Sequence, residues 1–240
     1  MRIQYRSGDG EAIDTTLDLV TADELAGSVP VRQFRWYKGR KHYSGWYWSS
    51  TNGDLVVYES RLELARIMLV DFAPDVRGIA AQPFRLIAAD GDRIRRHVPD
   101  IFLVDADGGV KVVDVKSPHK RNDPEVRALM RRTARTVALR GWGFEDMYGA
   151  PGHVLANVSF LAGYRRRRLV REDLIPVVRE ASSTGSAIVD LERSVTQAPP
   201  MLVRPVVLHL LWTGELVADM TKPLDGLSMV KLREQEDATA

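Results

Sequence analysis

The spacing of apolar positions changes several times along the chain, and each change marks an element. From Met1 to Val20 no apolar period is sustained, which predicts an edge strand or an irregular arm. Tyr58, Leu62, Ala65, Leu69 and Phe72 recur at intervals of three and four, so a helix with one apolar face is expected over Glu59 to Phe72, stopped by Pro74. A strand follows through Val76 to Ile79 towards Gln82–Ile87, with a turn at Asp90-Gly91-Asp92. Arg96 to Val104 reads as one strand with Pro99 at its start or at a bulge. Asp105 to Gly109 is a turn and Val110 to Lys116 a strand. Over residues 123–140, Val126, Leu129, Met130, Thr133 and Val137 form the inward face of a basic helix. Trp142 to Tyr148 reads as a strand, and His153 to Leu161 as a short helix or strand. Strands interleaved with helices in this order imply an α/β fold, a mixed sheet flanked by helices.

After Arg171 the texture changes. Ser182 to Ser186 reads as a small-residue linker, Pro199-Pro200 punctuates again, and Arg204 to Trp212 fits a short apolar helix. Leu216-Val217-Ala218 with Pro223-Leu224 resembles a small helix-plus-wing unit. The expected organisation is an acidic arm over residues 1–30, an α/β domain over 31–170, and a small, mainly helical module over 171–240 with a frayed tail.

Composition narrows the function classes. The chain of 240 residues has no Cys, which removes disulfide frameworks, thiolate zinc sites and thiol nucleophiles, and is compatible with a reducing cytoplasm. The opening is acidic and lacks an apolar core, unlike a signal peptide, and the run Val206 to Trp212 is too short to span a bilayer. A cytoplasmic protein with no membrane partner is expected. Net charge is only +2, but its distribution is uneven. Residues 1–30 hold six acids, whereas 31–53 hold Arg32, Arg35, Lys38, Arg40 and Lys41 with no acid. Eight basic residues lie in 116–140, and Arg165 to Arg168 form an unbroken run. Segregated basic stretches suit a polyanion, and the aromatics of Phe34–Tyr37 and Tyr43–Trp48 among them suit base stacking, although solvated helix faces and ordinary strands account for each stretch singly.

The candidate chemistry lies in Val98-Pro99-Asp100 and Val113-Asp114-Val115-Lys116. A hairpin symmetric about residue 107 sets Asp100 opposite Asp114, with Cβ atoms roughly 4.5–5.5 Å apart on one face. Lys116, two residues on, shares that face, while Val113 and Val115 point into the core. Two opposed carboxylates favour a hard divalent cation such as Mg²⁺, which polarises a phosphoryl oxygen and activates water. A surface hairpin with an Asp–Lys ion pair is the plainer alternative; the apolar character of Val110–Val115 argues against it, because buried charges need a reason. Glu59 and Glu63 share a helix face and either can supply a third carboxylate. Glu63 also fits a capping box with Ser60, and the residues alone leave both roles open.

Glu59-Ser60-Arg61-Leu62-Glu63, Asp71-Phe72-Ala73-Pro74-Asp75-Val76, Gln82-Pro83-Phe84, His97-Val98-Pro99-Asp100 and Val113-Asp114-Val115-Lys116 together resemble the TnsA-type endonucleases. These are the strand-cleaving subunits of heteromeric cut-and-paste transposases, of the PD-(D/E)xK superfamily. The resemblance spans roughly residues 30–165 in order and spacing. It implies a restriction-endonuclease-like fold, with Glu63 as helix carboxylate, Asp100 and Asp114 as metal-binding carboxylates, Lys116 as the motif lysine and Gln82 in an auxiliary role. It further implies Mg²⁺ (with Mn²⁺ substituting) as cofactor. The implied partners are transposon-end DNA, a DDE-type transposase subunit and an AAA+ regulator ATPase. A related nuclease of restriction or repair, or a non-catalytic DNA-binding or assembly module on a nuclease fold, are the competing readings.

Other constellations carry less. His97 beside Pro99 can approach the site, although a backbone hydrogen bond at a strand edge is its expected role, and His42, His119, His153 and His209 lack ligand spacing. Ser117-Pro118-His119 has no third triad member, and Gly108-Gly109 is a hairpin turn with no phosphate-loop pattern around it.

Overall fold

The structure is a computed structural model and describes residues 1–32, 43–90, 93–149 and 152–234. The chain divides into two compact units, Met1–Ala150 and Pro151–Ala240. The first unit runs β1 (Arg2–Arg6), β2 (Ala12–Thr16), α1 (Ala22–Ala26), β3 (Gly45–Ser49), β4 (Asp54–Tyr58), α2 (Arg61–Asp71), β5 (Val76–Ala81), β6 (Phe84–Asp90), β7 (Arg93–His97), β8 (Ile101–Asp105), β9 (Val110–Val115), α3 (Pro124–Ala138) and β10 (Gly143–Met147). One antiparallel sheet has the order β2-β1-β6-β7, and a mixed sheet the order β10-β9-β8-β5. In the mixed sheet β5, β8 and β9 are antiparallel, whereas β10 is parallel to β9 and α3 makes the crossover. The hairpin β3–β4 forms a two-stranded sheet of its own. The fold is therefore α/β, as the periodicity implies.

Burial on both faces explains the apolar run of β8 and β9. Phe102, Val104 and Val112 join Ile3, Leu25, Phe84, Val137 and Trp142 in one core cluster. Ile101, Leu103, Val113 and Val115 join Tyr47, Val56, Ile67 and Val70 in the other. Full burial of such side chains is worth about 1.5–3 kcal/mol each, so this pair of strands is a rigid base for whatever it carries.

The opening segment is a correction to the sequence reading. Residues 1–30 are not an arm: β2 is an edge strand, as the alternative expects, but β1 is an inner strand between β2 and β6, and Ile3, Tyr5, Leu17, Val20 and Leu25 are buried in the shared core. The acids of the segment sit at exposed positions of these elements, which hides the apolar alternation Ile3/Tyr5 in a short stretch. The face expected for α2 also shifts. Ala65, Ile67, Val70 and Asp71 are its buried residues, since apolar side chains surround the whole helix and the period alone cannot choose a side. The expected strand Arg96–Val104 is two strands, β7 and β8, in different sheets, because Pro99 lacks the N–H that a continuous ladder needs. The turn at Gly91-Asp92, the aromatic segment Phe34–Tyr37 and the tail over 235–240 lie outside the described residues.

The second unit comprises α4 (Gly152–Leu161), α5 (Ile175–Ala181), β11 (Ser186–Ala187), α6 (Ile188–Ser194), α7 (Pro200–Trp212), β12 (Leu216–Val217) and β13 (Met229–Leu232). Its three short strands form an antiparallel sheet in the order β11-β13-β12. The boundary falls at 150/151 rather than near 170, because residues 152–174 pack with the C-terminal helices: Leu161, Ala162 and Leu174 are buried, and Nδ1 of His209 on α7 lies 2.7 Å from the Tyr164 carbonyl. Residues 182–185 turn the chain into β11 inside this unit, with Ser182 buried and its hydroxyl donating to the Val178 carbonyl at 2.6 Å, so 182–186 link no domains. Among the described residues no helix is long and apolar enough to cross a membrane.

Candidate active site

The hairpin β8–β9 sets the geometry. Its turn closes through the Asp105 N–H to the Gly109 carbonyl (2.8 Å) and the Gly108 N–H to the Asp105 carbonyl (2.9 Å), with Gly108 at φ +80°. A left-handed residue at this point favours glycine. The ladder pairs Ile101 with Val113 and Phe102 with Val112, the register symmetric about residue 107. Asp100 stands immediately before β8, its N–H donating to the Val113 carbonyl at 3.1 Å and its carbonyl accepting from the Gln82 N–H at 2.9 Å. It is thereby fixed by backbone bonds at the crossing from the first sheet to the second.

Asp100, Asp114 and Lys116 converge. The Lys116 ammonium donates to Oδ2 of Asp100 (2.9 Å), to Oδ1 of Asp114 (3.2 Å) and to the Val115 carbonyl (3.1 Å). Oδ2 of Asp100 also accepts the Val115 N–H at 2.7 Å. The side chains are 13% (Asp100), 0% (Asp114) and 24% (Lys116) exposed, so this is an interior cluster and not a surface ion pair. Burial pushes the Asp100 carboxyl up, and the charge of Asp114 adds to that, while Lys116 pulls it only partly back. At Asp114 burial acts the same way, but the hydrogen bond and charge of His97 and those of Lys116 outweigh it and hold the carboxyl below its usual range. Burial would lower the Lys116 ammonium, yet its two carboxylates keep it raised and protonated. Two nearby carboxyls pushed in opposite directions are the expected outcome for a like-charge pair.

His97 joins the cluster, so its approach to the site prevails over the strand-edge role. Its Nε2 lies 2.7 Å from Oδ2 of Asp114, and since the carboxylate can only accept, Nε2 carries the proton. The expected backbone hydrogen bond gives way to a carboxylate contact. The sequence signal for it is the position of His97 three residues before Asp100, on the strand that the Pro99 break redirects. Asp146, unforeseen, stands beside Asp114 in the parallel β9–β10 register.

The two helix carboxylates separate. Glu63 accepts from the Glu59 N–H (2.8 Å) and the Ser60 hydroxyl (2.9 Å), and its own N–H donates to Ser60 Oγ (3.1 Å), so Ser60 caps α2 while the Glu63 carboxylate reaches the residue before the cap instead of the cap's own N–H. Its carboxyl is raised, by burial first, with the charges of Asp100 and Glu59 adding to that and the hydrogen bonds from the Glu59 N–H and Ser60 pulling it only partly back. Glu59 instead pairs with Arg32 at 3.2 Å. Gln82 is buried and holds φ +50°, the only non-glycine residue in the left-handed region among those described. Its side-chain amide has no hydrogen-bond partner among the described residues. Such a conformation costs of order 1–3 kcal/mol, and here it belongs to the residue whose N–H fixes Asp100.

For a divalent cation the donor chemistry fits in kind. Asp100, Asp114 and Glu63 supply three carboxylates against the single lysine, so the interior carries excess negative charge when all are ionised. Among the described residues no three such groups stand together at metal-holding distances, since Lys116 lies between the two aspartates and Glu63 is engaged by its cap. A scan against protein-family models finds no match for the chain, and a search of curated proteins finds none.

Proposed function

We propose that this chain is a Mg²⁺-dependent DNA endonuclease of restriction-endonuclease-like fold, the strand-cleaving subunit of a heteromeric transposase similar to TnsA. The observation that carries the proposal is the buried Asp100–Lys116–Asp114 cluster on an antiparallel strand pair, with a carboxylate helix before it and a crossover helix after it. Asp100 and Asp114 would hold the cation, with Glu63 completing the set. When bound, the cation supplies Lewis-acid polarisation of the scissile phosphate and a lowered pKa for water. The ammonium of Lys116, seated between Asp100 and Asp114, would orient or help deprotonate a water, or offset charge on the scissile phosphate. His97 holds Asp114 ionised and fixes which oxygen faces Lys116. The small three-stranded sheet with helices of the second unit is in keeping with a helix-plus-wing module that docks a partner subunit.

A non-catalytic module with a nuclease fold is the second reading, and the engagement of Glu63 by its cap is the observation that favours it. The test is nicking of supercoiled and transposon-end DNA with Mg²⁺, Mn²⁺, Ca²⁺ or excess EDTA, with and without a DDE-type transposase and an AAA+ ATPase. Cleavage in Mg²⁺ or Mn²⁺ only, greatly enhanced by the partners and abolished in Asp100→Ala, is the expected result. Undiminished cutting in EDTA overturns the metal requirement, and efficient sequence-specific cutting by the isolated chain favours a restriction-type enzyme. DNA binding without cleavage under every condition favours the non-catalytic module.

A further inference from the structure

The arginines of β7 and α3 are distant in sequence but share one surface. β7 is the outer strand of its sheet, and Arg93, Arg95 and His97 alternate onto one face of it. A cleft lined by Arg95, His97, Leu129, Arg132 and Thr136 joins that face to α3. Arg132 and Thr136 in turn line an open depression of about 490 Å³ with Arg131 and Arg135. The surface therefore runs without a break from the exposed face of α3 to β7, and ends at His97, which touches Asp114.

Its charge is not a by-product of composition, because the whole chain carries only +2. Helix α3 has four arginines and one acid, Glu125 in its first turn. Arg131 and Arg135 are exposed and stand at i and i+4, where like charges repel and cost an isolated helix a few tenths of a kcal/mol per pair. Among the described residues no carboxylate pairs with Arg93, Arg131 or Arg135. Such a cationic stripe suits a partner that supplies closely spaced negative charge.

We infer that the β7–α3 surface is a phosphate track that seats the backbone of duplex DNA and leads one strand to the Asp100–Asp114 cluster. Guanidinium groups suit this task, since their planar forks match phosphate oxygens and need no base sequence. The inference rests on the endonuclease reading only for where the track leads; binding itself does not require cleavage.

The test is fluorescence anisotropy of the full chain with a labelled duplex of arbitrary sequence, in EDTA, over a series of salt concentrations. The Arg131→Ala/Arg135→Ala variant should bind about tenfold or more weakly, and the slope of log K against log salt should fall by about 2, near one for each phosphate left without its arginine. The control variant Arg171→Ala/Arg179→Ala removes equal charge from residues already paired with Asp173 and Glu215, and should leave the slope unchanged. Thermal melts of both variants should match the parent. Equal effects of the two variants, or no salt-dependent duplex binding by the parent chain, would overturn the track. Loss of binding in the α3 variant while the parent chain never cleaves with any metal or partner upholds the track and removes the nuclease reading. Undisturbed binding with intact Mg²⁺-dependent cleavage does the reverse.

Discussion

His97 and Asp114 come from different sheets, yet Nε2 of the histidine lies 2.7 Å from Oδ2 of an aspartate with no exposed side-chain surface. The break at Pro99 makes this possible by turning β7 out of the line of β8. In His97→Ala the buried Oδ2 loses its donor, which should lower stability by about 1–3 kcal/mol and raise the Asp114 carboxyl. His97→Gln, which keeps an N–H donor, should recover part of it. Denaturant melts of the three proteins, together with the Mn²⁺ concentration for half-maximal binding, check the expectation; equal stability and equal Mn²⁺ affinity in all three would refute it.

Glu63 and Glu59 are separable by substitution. Gln at position 63 keeps an acceptor for the Glu59 N–H and so should change stability by less than about 1 kcal/mol. Nicking activity should nevertheless fall at least about a hundredfold, an energetic loss of about 3 kcal/mol, while Glu59→Gln stays near the parent level. Full activity in Glu63→Gln would confine that residue to capping.

Asp71 predicts a purely structural defect. Its buried carboxylate accepts from the Tyr47 hydroxyl (2.8 Å), the Ser49 hydroxyl (2.6 Å), and the N–H groups of Ser50 (3.1 Å) and Thr51 (2.8 Å). It thereby fastens the turn after β3 to the end of α2. Asp71→Ala should cost about 2–4 kcal/mol, because several buried donors lose a charged acceptor at once. Chemical denaturation measures this directly, and a loss below about 1 kcal/mol would contradict it.

Asp14 gives a pH dependence of known sign. Hydrogen bonds from Arg2 and Gln4 hold its carboxyl down to about 2. A depressed carboxyl stabilises the fold above its unfolded pKa of about 4, and that contribution is lost as pH falls through the folded value. The melting temperature of Asp14→Asn should thus lie below that of the parent at about pH 6 and converge with it near pH 2. High salt should narrow the gap, since the pair is exposed. A gap unchanged across this range would exclude the carboxylate as its source.

The sequence by itself determined the features that local geometry dictates. The turn Asp105–Gly109 and the two-residue period of a strand fix how β8 meets β9, so the convergence of Asp100, Asp114 and Lys116 is legible in the order of residues alone. The same holds for α2, α3 and their limits, because Ser60 and Asp123 cap them and their lengths exceed any strand alternative. Tertiary structure decided the features that depend on which distant segments pack together. The arm-like opening became an inner strand because Ile3 and Tyr5 find Phe84 and Phe102, residues no local pattern links to them. The buried side of α2 was open because apolar residues surround it, so neighbouring strands made the choice. His97 reached Asp114, and the arginines of β7 reached those of α3, only through the meeting of two sheets and a crossover helix. Periodicity encodes which face a side chain takes, whereas the partner across that face is set by the long-range packing that folding adds.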